Sequence, residues 1–249
     1  MVQLKSPTEI DQMRTACKIV GQILVEIEEL VKPGVSTADL DLFCQTRTKE
    51  LGAKPAFKGY HGFPATLCVS VNEEVVHGIP SKKRILKSGD IVGCDFGVIY
   101  NGWYGDSAKT FRVGEVTDSA MKLIEATRKS LYLGIEQCIV GSHLFNIGHA
   151  VQNYVESLGY SVVREFVGHG IGRSLHEDPQ VPNFGARGKG MLLKPGMVLA
   201  IEPMINMGSP EVKVLSDGWT AVTVDRKYSA HFEHTVAITE NGYEILTQV

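Results

Sequence analysis

Asp95 and Asp106 are placed to do chemistry together, because the segment between them folds back on itself. Ile91 to Tyr100 is an apolar run interrupted by one charge, Asn101-Gly102 follows, and Trp103 to Val113 returns. Asn-Gly between two strand-like runs is a strong hairpin signal. With a two-residue turn, Asp95 opposes Ala108 and Asp106 opposes Gly97, so the aspartates are diagonal neighbours on one face, roughly 7–8 Å apart at the backbone. Two carboxylates held together among apolar side chains repel each other and lose hydration unless a cation or a shared proton compensates. A divalent metal is the natural partner. A lone strand aspartate reads equally well as a cap for local backbone donors, and it is the pair on one face that weighs against this.

The second half of the chain offers more candidates in apolar or glycine-rich strand contexts. They are His169 in Val167-Gly168-His169-Gly170-Ile171-Gly172, Glu202 in Ala200-Ile201-Glu202-Pro203, and Glu233 in His231-Phe232-Glu233-His234-Thr235. Taken singly, His169 reads as a hydrogen-bonded core or loop histidine and Glu233 as a surface acid on an exposed strand. Only the set points to a metal.

The elements that must hold these residues come in two rounds. Ser6-Pro7-Thr8-Glu9 has the form of a capping box, and Ile10, Met13, Cys17, Val20, Leu24, Ile27 and Val31 then recur in steps of three and four. This predicts one long amphipathic helix ended by Lys32-Pro33-Gly34. Ser36-Thr37-Ala38-Asp39 caps a second helix, with Gly52 as its stop, and Leu67 to Phe111 is β in character. A helical stretch then runs from about Asp118 to Ile139, breaks at Gly141-Ser142 and resumes to Leu158-Gly159, with strand-like segments beyond.

Gly34 and Gly141, Leu51-Gly52 and Leu158-Gly159, Leu86-Lys87-x-Gly89 and Leu193-Lys194-x-Gly196 are each separated by 107 positions, as are Asp95 and Glu202. One offset across four landmarks predicts a single domain over 1–249 with an internal duplication of about 8–113 and 118–240. Two such halves packed face to face place the acids at their interface.

Composition narrows the setting. With 249 residues, 43% hydrophobic, 21% charged and a net charge of -3, the chain reads as soluble and globular, with no nucleic-acid or membrane partner indicated. Cys17, Cys44, Cys68, Cys94 and Cys138 form no C-x-x-C pair, so they read as reduced thiols. With no apolar leader and no run of membrane-span length, the expected location is the cytoplasm.

Asp95, Asp106 eleven residues on, His169, Glu202 and Glu233 resemble, in order and local motif, the five metal ligands of the type I methionine aminopeptidases. Val76-His77-Gly78-Ile79-Pro80, Gly168-His169-Gly170-Ile171-Gly172, Leu175-His176-Glu177, Ile201-Glu202-Pro203 and Glu233-His234-Thr235 carry the resemblance from the first helix nearly to the C-terminus. It implies the pita-bread fold, a pseudo-twofold α/β (α+β) architecture, and removal of the N-terminal methionine from nascent proteins. The implied cofactor is two divalent ions of manganese, iron or cobalt, with Asp95 on one, Asp106 and Glu233 bridging, and His169 and Glu202 on the other. Water activated between the ions is then the nucleophile.

The resemblance further implies that Glu202 shuttles the proton, His77 contacts the scissile amide nitrogen, and His176 donates a hydrogen bond to the oxyanion. Tyr60, Phe63, Cys68, His77, His176 and Trp219 form the substrate pocket, aromatic walls and a soft sulfur suited to a thioether. Leu175 stands where a bulkier aromatic is usual, and Lys58 is an extra residue before Gly59-Tyr60-His61-Gly62-Phe63, so both bear on pocket shape. Expected partners are nascent polypeptide N-termini, including those at the ribosome, and the expected state is a monomer. Two other readings compete: a prolidase-like or Xaa-Pro aminopeptidase of the same fold, which usually carries an additional N-terminal domain, and a non-catalytic pita-bread binding module. Retention of all five ligand types argues against the second.

Overall fold

The computed structural model describes residues 2–249. Helix α1, Pro7–Glu28, begins with the expected capping box: Ser6 Oγ accepts from the Glu9 N–H at 3.3 Å and the Glu9 carboxylate accepts from the Ser6 N–H at 2.9 Å. Ile10, Met13, Cys17, Val20, Leu24 and Ile27 are buried along one side, as the spacing predicts. The helix ends three residues earlier than Val31, which is buried in the following turn. Pro33 disfavours helical geometry at Lys32, so the chain turns before reaching it. Helix α2 spans Thr37–Glu50 with a second capping box from Ser36 and Asp39. Helix α3 covers Asp118–Ile135, shorter than expected because Gln137 and Cys138 close single turns onto Gly134 and Ile135, and α4 covers Phe145–Ser157.

The main sheet has nine antiparallel strands. Its path runs Lys54–Pro55, Ile91–Tyr100, Trp103–Arg112, Glu233–Thr239, Val198–Ile201, Gly168–Gly170 and Glu177–Val181; Leu67–Val71 pairs with Ile91–Tyr100 and Gly242–Ile245 with Glu233–Thr239. Alternation divides each strand between two environments. Val92, Cys94, Phe96 and Val98 pack with α1 and α2, while Leu199 and Ile201 pack with α3 and α4. Asp95 and Glu202, out of phase with those residues, face the other way.

Local contacts recur along the chain at one spacing. The N–H of Gly34 donates to Leu86 C=O and that of Gly141 to Leu193 C=O. Ser36 bridges Ile85 and His143 bridges Leu192, while Pro55 pairs with Val98 and Val162 with Ile205. Every member of the second set lies 107 positions after its counterpart. Gly34 and Gly141 both hold positive φ, 93° and 79°, a conformation that glycine adopts without steric cost.

Candidate metal centre and substrate cleft

The hairpin forms in the register expected from its turn: Asp95 pairs with Ala108 and Gly97 with Asp106. The next strand brings Glu233 opposite Ala108 from the other side, and Cys68 pairs with Asp95. Cys68, Asp95, Ala108 and Glu233 thus form one row across the sheet. Directly opposed residues share a face, so the small side chain of Ala108 leaves space between two acids. Gly97 does the same beside Asp106: a Cβ there would lie 3.3 Å from Asp106 Oδ1 and 2.8 Å from the Phe57 ring.

Only two residue pairs join Trp103–Arg112 to Glu233–Thr239. Hydroxyls supplement this seam. Ser107 Oγ donates to Glu233 C=O at 2.6 Å, Thr110 Oγ1 to His231 C=O at 2.8 Å and Thr235 Oγ1 to Asp106 C=O at 2.7 Å.

Asp106, His169 and Glu233 each offer a ligand atom within 4.8 Å of the others. Glu202 adjoins them, its Oε1 3.6 Å from His169 Nε2. The His169 Nδ1 faces the Gly170 carbonyl at 2.9 Å, and since a carbonyl only accepts, Nδ1 carries the proton and Nε2 presents a lone pair to the acids.

The electrostatics of these side chains shows a concentration of acid that calls for positive charge. Burial pushes the Asp95 carboxyl up to about 7. Burial, then the charge of Asp95, raises Asp106 well above the carboxylate range; burial and the neighbouring acids do the same to Glu202 and Glu233. Asp95 Oδ1, Asp106 Oδ1 and Glu233 Oε1 are buried with no hydrogen-bond partner. Orphaned, mutually repelling carboxylate oxygens beside a neutral imidazole are the donor set that hard or borderline divalent cations satisfy, so these residues fit the metal that their pattern implies.

Above the acids lies a cleft of about 210 Å³. All eleven residues assigned from the sequence to metal, catalytic or substrate roles line it: Tyr60, Phe63, Cys68, His77, Asp95, Asp106, His169, His176, Glu202, Trp219 and Glu233. Phe63 meets Trp219 edge-on at 5.2 Å, and the His77 ring stands edge-on to Phe166 and Trp219. His77 holds φ of 60°, uncommon for a side-chain-bearing residue, and burial pushes its imidazole down to about 4. Tyr60 Oη is hydrogen-bonded to His176 Nδ1 at 2.7 Å, and the His176 ring lies 4.3 Å from that of His169. Partial desolvation by the cleft walls, then the nearby His61, holds His176 below the usual imidazole range. Leu175 is buried in the wall, whereas Lys58 is exposed.

Sequence reasoning missed three residues. Phe57 and His61 line the cleft, and the fully enclosed His231 brings Nε2 to 3.8 Å from Glu202 Oε2 with no hydrogen-bond partner of its own. His231 carried a signal, since it lies two residues before Glu233 on an apolar strand and therefore shares its face.

The sequence profile of metallopeptidase family M24 matches residues 11–240. Methionine aminopeptidase 1 of Bacillus subtilis is 55% identical over 249 residues, covering 100% of both chains. A solved methionine aminopeptidase from Thermotoga maritima superposes with a TM-score of 0.98 at 49% identity, again covering 100% of each chain. A prolidase from Pyrococcus furiosus matches with a TM-score of 0.79 at 24% identity, covering 99% of this chain and 65% of its own, a likeness of fold alone. The curled antiparallel sheet with its helices is the pita-bread fold, and the chain belongs to metallopeptidase family M24 and, within it, to the methionine aminopeptidases.

Proposed function

We propose that the protein removes the N-terminal methionine from polypeptides by metal-dependent hydrolysis. The observation that carries this reading is the convergence of four carboxylates, the buried Asp106 and Glu233 and the partly buried Asp95 and Glu202, with His169 at the floor of a cleft walled by Tyr60, Phe63, Cys68, His77 and Trp219. The full-length likeness to methionine aminopeptidases supports it, and the prolidase-like reading draws only on shared fold.

In this reading Asp95, Asp106, His169, Glu202 and Glu233 hold two divalent ions of manganese, iron or cobalt. When bound, the ions supply Lewis acidity, polarising the scissile carbonyl and making water a nucleophile at neutral pH. The chain's own groups do the rest. The acidic floor attracts the α-ammonium of a free amino terminus, which favours an exopeptidase. Phe63, Cys68 and Trp219 bury the methionine side chain, where a flexible thioether packs well against aromatic edges. His176, whose Nδ1 is engaged by Tyr60, presents Nε2 to the oxyanion; His77 contacts the amide nitrogen; Glu202 accepts the proton from water and passes it to the leaving amine.

We further infer that the chain is a single domain made of two related halves, supported by the contacts repeated at 107 positions. The setting we propose is cytoplasmic, a monomer acting on nascent chains at the ribosome. Among the described residues no helix is long and apolar enough to cross a membrane.

The test is release of free methionine from Met-Ala-Ser by metal-stripped protein, titrated with manganese, iron or cobalt beside an Asp106→Asn control. Activity that appears with metal and is lost in the control is expected. Cleavage of Ala-Pro instead would replace this reading with the prolidase-like one, and no cleavage under any metal would replace it with the binding module.

A further inference from the structure

Lys5 is remote in sequence from the cleft, yet its ammonium is buried against the turn that carries His176. Lys5 Nζ donates to Glu177 Oε2 at 2.5 Å, with side-chain exposures of only 4% and 8%. The other Glu177 oxygen accepts from the backbone N–H groups of Arg173, at 2.7 Å, and Ser174, at 3.1 Å. One carboxylate therefore ties the start of this turn to its end. The fit is close: a Cβ on Gly172 would lie 2.4 Å from Lys5 Cε and 2.7 Å from Glu177 Oε1. Lys5 is itself held, its backbone N–H donating to Gly196 C=O at 2.7 Å and its Nζ also to Gln3 C=O at 3.2 Å.

The far side of the turn faces the cleft. Glu177 opens a strand opposite Gly170, at an irregularity in register next to His169. His176, the residue before it, is the one that meets Tyr60 and His169. A buried ion pair adds little net stability, because desolvation offsets its attraction, but removing one partner leaves the other charge buried and uncompensated. Its consequence here is geometric, since Glu177 and His176 are adjacent on one short turn.

We propose that Lys5 is a positioning residue for His176: through Glu177 it fixes the Gly172–Glu177 turn so that the imidazole enters the cleft. This makes the segment ahead of α1 part of the machinery that sets the site, and it rests on the role proposed above for His176. A purely structural Lys5 would instead stabilise the fold without any special relation to His176.

The experiment compares the metal-loaded full chain with Lys5→Met, Glu177→Gln, His176→Ala and the Lys5→Met/His176→Ala pair. Lys5→Met is expected to lower kcat for Met-Ala-Ser by about tenfold or more with KM little changed, in the range of lost supporting contacts. In the His176→Ala background the same change is expected to alter kcat by less than about twofold, because the two act as one unit. Hydrogen exchange at the Arg173 and Ser174 amides is expected to quicken while α1 to α4 keep their protection. Glu177→Gln keeps an acceptor but drops the charge, and it carries the same test should Lys5→Met not fold. Equal losses of kcat in both backgrounds, or unchanged exchange at Arg173 and Ser174, would overturn the proposal. If wild type releases no methionine with any metal, it is the proposed activity that fails, and the exchange measurement still decides whether Lys5 holds the turn.

Discussion

The two strand pairs that supply the acids share a backbone plan and differ in what they place on it. Gly97 pairs with Asp106 in the first, and Met204 pairs with His231 in the second. Cys94 pairs with Lys109, and Ile201 with His234. By this register His231 occupies the position of Asp106, and Glu233 that of Ala108. The outgoing strands keep the offset of 107, but the returning strands are offset by 125, because a two-residue turn at Asn101-Gly102 is replaced by the long excursion from Met207 to Tyr228. That excursion brings Trp219 to the cleft wall. Contacts that repeat at 107 positions thus frame an asymmetric site: the first strand pair uses its tight hairpin to set two aspartates, while the second spends its extra length on the wall and contributes acids at unequal positions.

The largest break in this comparison is expected from unequal treatment of equivalent positions. Asp106→Asn should reduce methionine release by more than ~10²-fold and weaken metal binding in calorimetry, since a ligand should matter more than the groups behind it. Loss of activity with metal affinity intact would separate Asp106 from the metal. His176→Ala should follow with about 10²-fold lower kcat/KM, the scale of a lost oxyanion donor; a change within a few-fold would remove His176 from the reaction. Gly97→Ala should destabilise by about 1–3 kcal/mol in denaturant unfolding and lower metal affinity, because its Cβ would push against both the Phe57 ring and the Asp106 carboxylate. Its counterpart by register is Met204, a position already filled by a large side chain, which is why the clash belongs to one half only.

A subtler test concerns charge. In the metal-free protein the raised carboxyl groups hold protons that they lack when unfolded, so their contribution to stability falls as pH rises through their folded values, Asp95's being about 7. The buried His169 and His231, the partly buried His77 and His234, and His176 have depressed folded values and act in the opposite sense, but only below the unfolded histidine range. From about pH 6.5 to 8 the carboxylates, joined toward the upper end by the five buried thiols whose folded values are also raised, give the slope one sign, so Tm of the metal-stripped protein should fall over that window and the stabilisation by added metal should grow. A flat metal-free Tm would show that the acids are not uncompensated. The smallest effect is expected at His231→Asn, which should keep kcat within about tenfold; a loss equal to that of Asp106→Asn would make the two halves functionally symmetric after all.

Much of the site was legible because it is local. The Asn101-Gly102 turn determines which residues oppose each other across ten-residue strands, so Asp95 and Asp106 share a face whatever else the chain does. Capping boxes at Ser6 and Ser36 are likewise set within four residues. Helix ends at Glu28 and Ile135 were less legible, since apolar spacing continues past the points where proline or single turns end the helix. Phe57 and His61 were not legible, because entry into a cleft depends on neighbours distant along the chain.

By itself the sequence determined the elements, the hairpin register, the 107-residue repetition and the residue types able to hold a divalent metal. Each follows from short-range sterics, side-chain periodicity or chemical identity, which act without knowledge of the fold. Only the tertiary structure decided that Glu233 crosses from its own half to stand opposite Ala108, that Trp219 returns to meet Phe63, and that Lys5 reaches Glu177. Those contacts join residues separated by more than a hundred positions, and they form only because burial of the helix faces closes the sheet around them.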